Sequence, residues 1–545
     1  MERSNLALLL ALLFFFAKDI SAQVNRYVVY FPDKKDSPYS VEQPGDYLSQ
    51  KAIDRRVKSG YQITEEDFPV NPNYLDSLVK YNAKPYYTSR WFNAAIVQVD
   101  QGIIDELEGK SFTAGVEYVA PGIQYSENPS APNTSYVAND PSGSGTSAPQ
   151  LNMISVNSMH DDGYTGEGLW VAVLDAGFSG ANESAVFKDL FEEGRIIDTE
   201  DFVSRGKDVF KYVDHGTKVL SCLAANYNDQ VVGAGYGVSV SLYVTGDDEQ
   251  FSDEFRIEEF NWVLAAEKAD SAGVDIISSS LGYNTFEDPS MDYTTAQLDG
   301  NTAVVTIGAE KASERGILVV SSAGNSGNDP WELVTFPADG SNVLSVGGVD
   351  LSKNRSSFSS LGPTADNRIK PDVSALATGT VVVSGSGSIV QNNGTSFSCP
   401  LITGLAAGLW QAMPALTNLE LKDLIINSAS QANNPDNSLG YGIPNYNVAV
   451  GKVLSVRQEN PANLSIFPNP VSGDRVQLKS SVMSESQDMV IQIYNTYGMV
   501  VVSEQRHEAN LSEGIEIDLT GLTKGLYILS IIGQGNYNGI KLLKF

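Results

Sequence analysis

The middle of the chain carries the pattern that most restricts its fold: short, continuously apolar runs separated by longer segments of helical periodicity. The runs are Leu169-Trp170-Val171-Ala172-Val173-Leu174, Val274-Asp275-Ile276-Ile277-Ser278, Ile317-Leu318-Val319-Val320 and Val343-Leu344-Ser345-Val346. Helical candidates lie among them at Thr217 to Asn226, Glu259 to Ala272 and Thr302 to Arg315. A strand with one wet face alternates apolar and polar residues, whereas a strand covered on both faces is apolar throughout. Runs of the second kind, alternating with helices, predict an α/β unit with a parallel sheet covered on both faces, over about residues 151 to 455. In such sheets ligands bind beyond the carboxyl ends of the strands. The polar residues that end these runs are therefore the first candidates for function.

Four residues at strand ends or helix starts carry chemistry. Asp175 closes the first run and is followed by Ala176-Gly177; His215 stands in Asp214-His215-Gly216-Thr217 at the start of a predicted helix. Asn325 lies in Ser322-Ala323-Gly324-Asn325-Ser326-Gly327, after the third run. The last is Ser396, in Asn393-Gly394-Thr395-Ser396-Phe397-Ser398-Cys399-Pro400. There a glycine permits a tight turn, and Pro400 is expected to open a buried helix through Leu401 to Trp410. A serine at the mouth of a buried helix sits in the positive field of its N-terminus, which suits a nucleophile whose attack develops an oxyanion nearby. Each residue alone has an ordinary reading: a strand-ending turn for Asp175, an Asn-Ser-Gly turn for Asn325, an N-cap for Ser396. Together they supply what activates a hydroxyl near neutral pH, an imidazole between a carboxylate and a serine. The other two histidines, His160 in a polar run and His507 in the charged end of the tail, are read as solvated.

The order Asp175, His215, Asn325, Ser396, with the blocks Val-Ala-Val-Leu-Asp-Ala-Gly, His-Gly-Thr, Ala-Gly-Asn and Gly-Thr-Ser-Phe-Ser-Cys-Pro, resembles the subtilisin-like serine peptidases over about residues 145 to 450. The resemblance implies Ser396 as nucleophile, His215 as general base and then acid, Asp175 as the group that holds the imidazole, and Asn325 as an oxyanion donor. It implies an extended substrate-binding segment at Ser280-Leu281-Gly282. It also implies a pocket, for the side chain before the scissile bond, walled by Ala323-Gly324 and in part by Phe336-Pro337-Ala338. Lys218, Leu220 and Ser221 depart from the family's usual His-Gly-Thr-His-Val-Ala-Gly and bear on local packing. Many relatives bind structural calcium, but no ligand set maps onto this chain, and no metal or cofactor is required for the chemistry. The expected function is secreted endopeptidase action on protein or peptide substrates through an acyl-enzyme. The alternatives are a catalytically inactive surface binding module of the same fold and an esterase with the same triad.

The flanks fit a preproprotein of 545 residues. Residues 1–22 have the positive start, apolar run and small-residue end of a signal peptide, too short to span a bilayer. Residues 24–125 read as a small α+β unit, with strands at 26–31 and 94–99 and helices at 48–57 and 102–108. That unit resembles the propeptide of these peptidases, which implies an intramolecular inhibitor. The Ser/Pro/Asn/Gly-rich stretch from Gln124 to Gln150 reads as a linker, with a maturation site expected within residues 126–150. After a polar linker at 456–463, residues 464–545 alternate like a small β-sandwich. Their pieces Phe467-Pro468-Asn469-Pro470-Val471, Ile493-Tyr494-Asn495-Thr496-Tyr497-Gly498 and Lys541-Leu542-Leu543-Lys544-Phe545 resemble the C-terminal sorting domain of type IX secretion cargo. This implies export through the periplasm of a Gram-negative Bacteroidetes-type bacterium to the surface or medium, with the type IX machinery as partner. The formal net charge of −30, from 36 basic and 66 acidic residues, excludes nucleic acid as a partner. Cys222 and Cys399 are too few for a disulfide framework and are read as buried free thiols, one bond between them being the alternative.

Overall fold

The structure, a computed structural model, describes residues 24–123, 135–246, 254–454, 464–480, 487–494, 500–509, 511–512, 514–533 and 536–544. The expected signal peptide and the linker at 456–463 lie outside them, as does the first part of the expected maturation segment. The chain divides into two compact units, Met1–Tyr446 and Asn447–Phe545.

The larger unit is built on a seven-stranded sheet in the spatial order Val373–Leu376, Leu344–Val349, Leu318–Ser322, Ile276–Ser279, Trp170–Asp175, Ser239–Val244, Ile196–Asp201. Every neighbouring pair is parallel. All four strands read from the apolar runs are present, their ends displaced by one to three residues. The Trp170–Asp175 strand comes first of the seven in the chain yet lies inside the sheet. The strands that follow it in sequence fall on both sides of it, so its carboxyl end is the switch point where such sheets open a crevice. Asp175 is its last residue.

The N-terminal part of this unit is a four-stranded antiparallel sheet, ordered Pro85–Ser89, Ala94–Asp100, Val24–Tyr30, Gly115–Pro121. Side chains of a strand alternate between faces. Tyr27 and Val29 pack with Leu78, Ile104 and Leu107 of its own helices, while Val28, Ala94 and Ile96 share a core with Phe260, Val263 and Leu264 of helix Ile257–Ala272. This explains why Tyr27, Val28 and Val29 run on as consecutive buried residues: that part of the strand is covered on both faces.

Charge is buried at the same contact. Asp270, fully buried, accepts from Arg55, Arg56 and Arg90 of the N-terminal unit. Asp67 pairs with Arg315 at 2.8 Å and with Arg56 at 3.2 Å. Glu267 accepts the backbone N–H groups of Arg90 and Trp91 at 2.9 and 3.1 Å.

Two expectations need correction. The stretch up to Gln150 is not a free linker throughout: Val137 N–H donates to Asn182 O, Ser142–Gly143 pairs with the Ser388–Asn392 strand, and Gln150 is buried in helix Ala148–Met153. His160 is not solvated either; its Nε2 lies 3.1 Å from Ala234 O, its ring packs edge-on against Tyr236, and burial lowers its pKa. His507 is exposed on strand Val500–Ala509. Both cysteines are free and buried, and burial pushes the Cys399 thiol up to about 12.

The smaller unit is two antiparallel sheets. One is ordered Leu464–Phe467, Arg475–Ser480, Ile515–Asp518; the other Val500–Ala509, Gln487–Tyr494, Gly525–Gly533, Asn536–Lys544. Ile466, Leu478 and Ile517 of the first share one core with Ile491, Ile493, Leu529 and Leu542 of the second, which makes a β-sandwich.

Candidate active site

Asp175 and His215 are brought together by backbone as well as by side chain. Gly216 N–H donates to Gly177 O at 2.9 Å, and a Cβ on Gly216 would stand 2.5 Å from that oxygen. Only a glycine lets the helix start approach the strand end so closely. His215 opens helix His215–Ala224, and its Nδ1 lies 2.7 Å from Asp175 Oδ1, which also accepts Ala176 N–H at 2.8 Å. Asp175 is fully buried, and its Oδ2 has no hydrogen-bond partner among the described residues. A buried carboxylate with few donors favours the imidazole N–H that faces it, which fixes tautomer and ring orientation together.

The expected start of the nucleophile's helix is corrected. The helix runs Thr395–Ala412 with Pro400 inside it, so Ser396 is its second residue. Gly394 turns the chain into it at φ 150, ψ 143, with its N–H on Ala377 O. Proline has no N–H and leaves the carbonyl four residues earlier without a helical donor. That carbonyl is Ser396 O, and Ser280 Oγ donates to it at 2.8 Å. In return Ser396 Oγ points at Ser280 O, 3.4 Å away. The helix therefore survives its proline because the segment after the Ile276–Ser279 strand supplies the missing donor. Ser280→Ala is expected to cost about 1–3 kcal/mol, the penalty of an unsatisfied buried carbonyl, read from the denaturant midpoint of the purified chain.

Asn325 sits just beyond the carboxyl end of the Leu318–Ser322 strand. Its Oδ1 accepts Thr395 N–H at 2.9 Å and Thr395 Oγ1–H at 3.0 Å. The amide oxygen is thus anchored on the residue before Ser396, and the Nδ2 hydrogens face away from that anchor. The ring of His215 lies 5.9 Å from that of Phe397, the residue after Ser396. The structure so gathers all four sequence candidates around the first turn of one helix.

Ser280, Leu281 and Gly282 continue the Ile276–Ser279 strand, and Ala323 and Gly324 continue the neighbouring Leu318–Ser322 strand. Phe336 pairs with Tyr283 through two backbone bonds of 3.0 Å. The departures from the usual block are packed without strain on the site. Lys218 pairs with Asp214 at 2.7 Å, Leu220 is buried, and Ser221 Oγ donates to Lys218 O and accepts Val383 N–H. The sequence reading missed the Ser280 bond, although its signal was present: Pro400 stands four residues after Ser396. No group of three or more His, Cys, Asp or Glu side chains that could hold a metal occurs among the described residues.

The subtilase family profile matches residues 166–442, slightly over half the chain and the whole of this constellation. The chain belongs to the subtilase family. Subtilisin from Bacillus pumilus is 30% identical over 285 residues, covering 51% of this chain and 90% of that protein. Subtilisin NAT from Bacillus subtilis subsp. natto is 29% identical over 350 residues, 63% of this chain and 77% of that protein. Subtilisin BL from Lederbergia lenta is 29% identical over 302 residues, 55% of this chain and 97% of that protein. The flanks of this subtilase match as well: residues 26–134 a peptidase S8 propeptide domain of Bacteroidota, and residues 465–544 a secretion system C-terminal sorting domain. This subtilase is a serine peptidase by family, made with a propeptide and marked by a type IX sorting domain for secretion or surface display in a Bacteroidota. No helix among the described residues is long and apolar enough to cross a membrane.

Proposed function

We propose that this subtilase is a secreted endopeptidase that hydrolyses peptide bonds through Asp175, His215 and Ser396. The observation that carries the reading is the 2.7 Å Asp175–His215 pair at the sheet's switch point, beside a serine in the first turn of a buried helix. A peptide would lie extended along Ser280-Leu281-Gly282 as an added strand. Ser396 Oγ attacks the scissile carbonyl carbon while His215 takes its proton. Asn325 Nδ2 and a backbone N–H at Ser396 donate to the oxyanion, and the helix N-terminus adds to the favourable field. His215 then gives the proton to the leaving amine, and water resolves the acyl-enzyme by the same steps.

The domain scheme belongs to the same proposal: signal peptide 1–22, propeptide 24–125, maturation within 126–150, peptidase 151–455 and sorting domain 464–545. The propeptide acts as an intramolecular inhibitor until it is cut away. Its described contact, along helix Ile257–Ala272, supports a stable zymogen. Intact mass of the secreted protein, with and without a fluorophosphonate probe, tests the reading. The expected result is one added probe mass on a chain that starts between 126 and 150 and lacks the tail, with none on Ser396→Ala. A matured chain that takes no probe would make the protein a binding module instead.

A further inference from the structure

The chain reaches Ser396 through a hairpin of strands Thr380–Val383 and Ser388–Asn392, followed by Asn393, Gly394 and Thr395. The second strand has a further neighbour in Ser142–Gly143; the first has none and is the edge of this small sheet. Alternate N–H groups of an edge strand point away from its partner and need acceptors from elsewhere. Ser384 N–H turns inward, to Ser388 O at 2.9 Å. The outward row is Val381, Val383 and Gly385, and a side chain takes each of its N–H groups: Gln150 Oε1 at 2.9 Å, Ser221 Oγ at 3.0 Å and Asp214 Oδ2 at 2.9 Å. Ser221 lies in the helix that His215 opens, and Asp214 is the residue before it.

Asp214 holds the N-cap position of that helix and does not cap it. An aspartate there ordinarily accepts the N–H of the second or third helical residue; the Asp214 side chain makes no such bond. One of its oxygens goes to Gly385 and the other to Lys218 Nζ, 2.7 Å away. Burial by itself would raise this carboxyl, but Lys218 and the Gly385 N–H outweigh it and keep it below the ordinary aspartate value. The backbone is close-fitted at the same point. A Cβ on Gly385 would stand 2.5 Å from Ser179 O and 2.7 Å from Asp214 Cβ, and one on Gly180 would run into Gly385 O. Ser179 and Gly180 belong to the segment that leaves Asp175. Ser179 is bonded in turn to the helix start, donating to Val213 O at 3.2 Å and accepting Thr217 Oγ1–H at 2.8 Å. The segments that carry Asp175, His215 and Ser396 therefore meet at Gly385. Lys218 and Ser221, two of the departures from the family's usual block, both serve this meeting.

We propose that Asp214 is a positioning residue for the reaction: by holding Gly385 it fixes the His215 helix against the hairpin that delivers Ser396, and so sets the separation of base and nucleophile. The inference rests on the reading of His215 as base and Ser396 as nucleophile. Ser221 acts in the same way two residues back along the hairpin, at Val383. A proton passes from hydroxyl to imidazole only within hydrogen-bond reach, so slack between helix and hairpin falls on the chemical step. The expected peptide-binding segment, Ser280-Leu281-Gly282, lies on a different strand end and makes none of these bonds. Loss of Asp214 therefore lowers kcat and leaves KM in place.

The test measures kcat and KM for one peptidyl p-nitroanilide at a temperature where circular dichroism shows each variant folded. All chains are freed of the propeptide by a trace of added active peptidase, whose own hydrolysis is subtracted. Asp214→Ala is expected to lower kcat by about 10- to 100-fold, the scale of a misplacement by about an ångström, with KM unchanged. Asp214→Asn keeps an oxygen that can accept the Gly385 N–H while losing the charge, and is expected to recover most of that loss. A folded Asp214→Ala with the parent's kcat overturns the proposal. So does a loss seen in KM alone, or an Asp214→Asn as slow as the alanine variant. Should Asp214→Ala fail to fold, Ser221→Ala carries the test: it is expected to lower kcat at constant KM, and a kcat equal to the parent's overturns the proposal. Fluorophosphonate labelling of the parent at Ser396 reads the underlying mechanism separately, so that a labelled parent beside an unimpaired Asp214→Ala sinks this inference alone.

Discussion

Ser396→Ala is expected to lower kcat for a good peptide substrate by about 10⁶-fold, with little change in KM, the scale known for loss of the same group in subtilisin, a relative of this chain. The reason lies in the geometry of the helix start. Ser396 is held in the first helical turn by Gly394 on one side and by the Ser280 donor on the other, so its hydroxyl occupies a place that alanine leaves empty. His215→Ala is expected to cost about as much, because an unactivated hydroxyl is a poor nucleophile. Combining the two should add almost nothing, since they act as one unit. Asp175→Asn is expected to cost less, about 10⁴-fold, by presenting an amide to His215 Nδ1 and favouring the wrong tautomer. Single-turnover kinetics on chains freed of the propeptide by a trace of added active peptidase measure all four. Hydrolysis retained by Ser396→Ala would place the chemistry elsewhere.

Asp270→Ala is expected to destabilise the uncleaved chain by about 3–5 kcal/mol, the cost of breaking a buried ionic cluster from one side. Three guanidiniums converge on this carboxylate from the N-terminal unit, and without it Arg55, Arg56 and Arg90 would be left near one another with Asp67 and Glu267 as the remaining anions. The same cluster sets an acid limit. Burial by itself would raise the Asp270 carboxyl, but Arg90, Arg56 and Arg55 outweigh it and hold it down to about 2. Asp67 is lowered in the same sense, Arg315 and Arg56 outweighing its burial. An unfolded aspartate titrates near 4, so the unfolded chain binds more protons between those values. The stabilisation from Asp270 is therefore complete above about pH 4 and lost as the pH falls through about 2. A gap of that width between the folded and unfolded carboxyl corresponds to roughly 2–3 kcal/mol for this one group. Denaturant unfolding of the Ser396→Ala zymogen as a function of pH measures it, with Asp270→Ala as the comparison. A variant as stable as its parent, or a parent with no acid loss in that window, would show that the cluster does not hold the propeptide.

How far the chain could be read depended on how local each cause was. The apolar runs around Val171, Ile277 and Val319 are strands because covered sheets demand continuous hydrophobicity, and that demand is visible in four to six residues. The order of Asp175, His215, Asn325 and Ser396, each at a strand end or helix start, carried the site for the same reason. The interleaved strands of residues 464–545 likewise announced a sandwich. The start of the Ser396 helix was misplaced because Pro400 is a breaker in isolation. It is tolerated here only because Ser280, 116 residues earlier, replaces the donor that proline lacks. His160 looked solvated among its aspartates because its partner, Ala234 O, is 74 residues away.

Local pattern was thus enough to specify the layered α/β unit and the α+β and β-sandwich units that flank it. The Arg55–Arg56–Arg90 cluster on Asp270 became visible only in the packed chain, with partners 214 and more residues apart for the first two. The same holds for the Asp214 carboxylate on the Gly385 N–H, 171 residues away. Periodicity and turn chemistry act between near neighbours, where the chain's own geometry fixes which side chains meet. A buried charge or a covered strand edge is defined by what surrounds it in space, and those surroundings exist only once distant segments have packed.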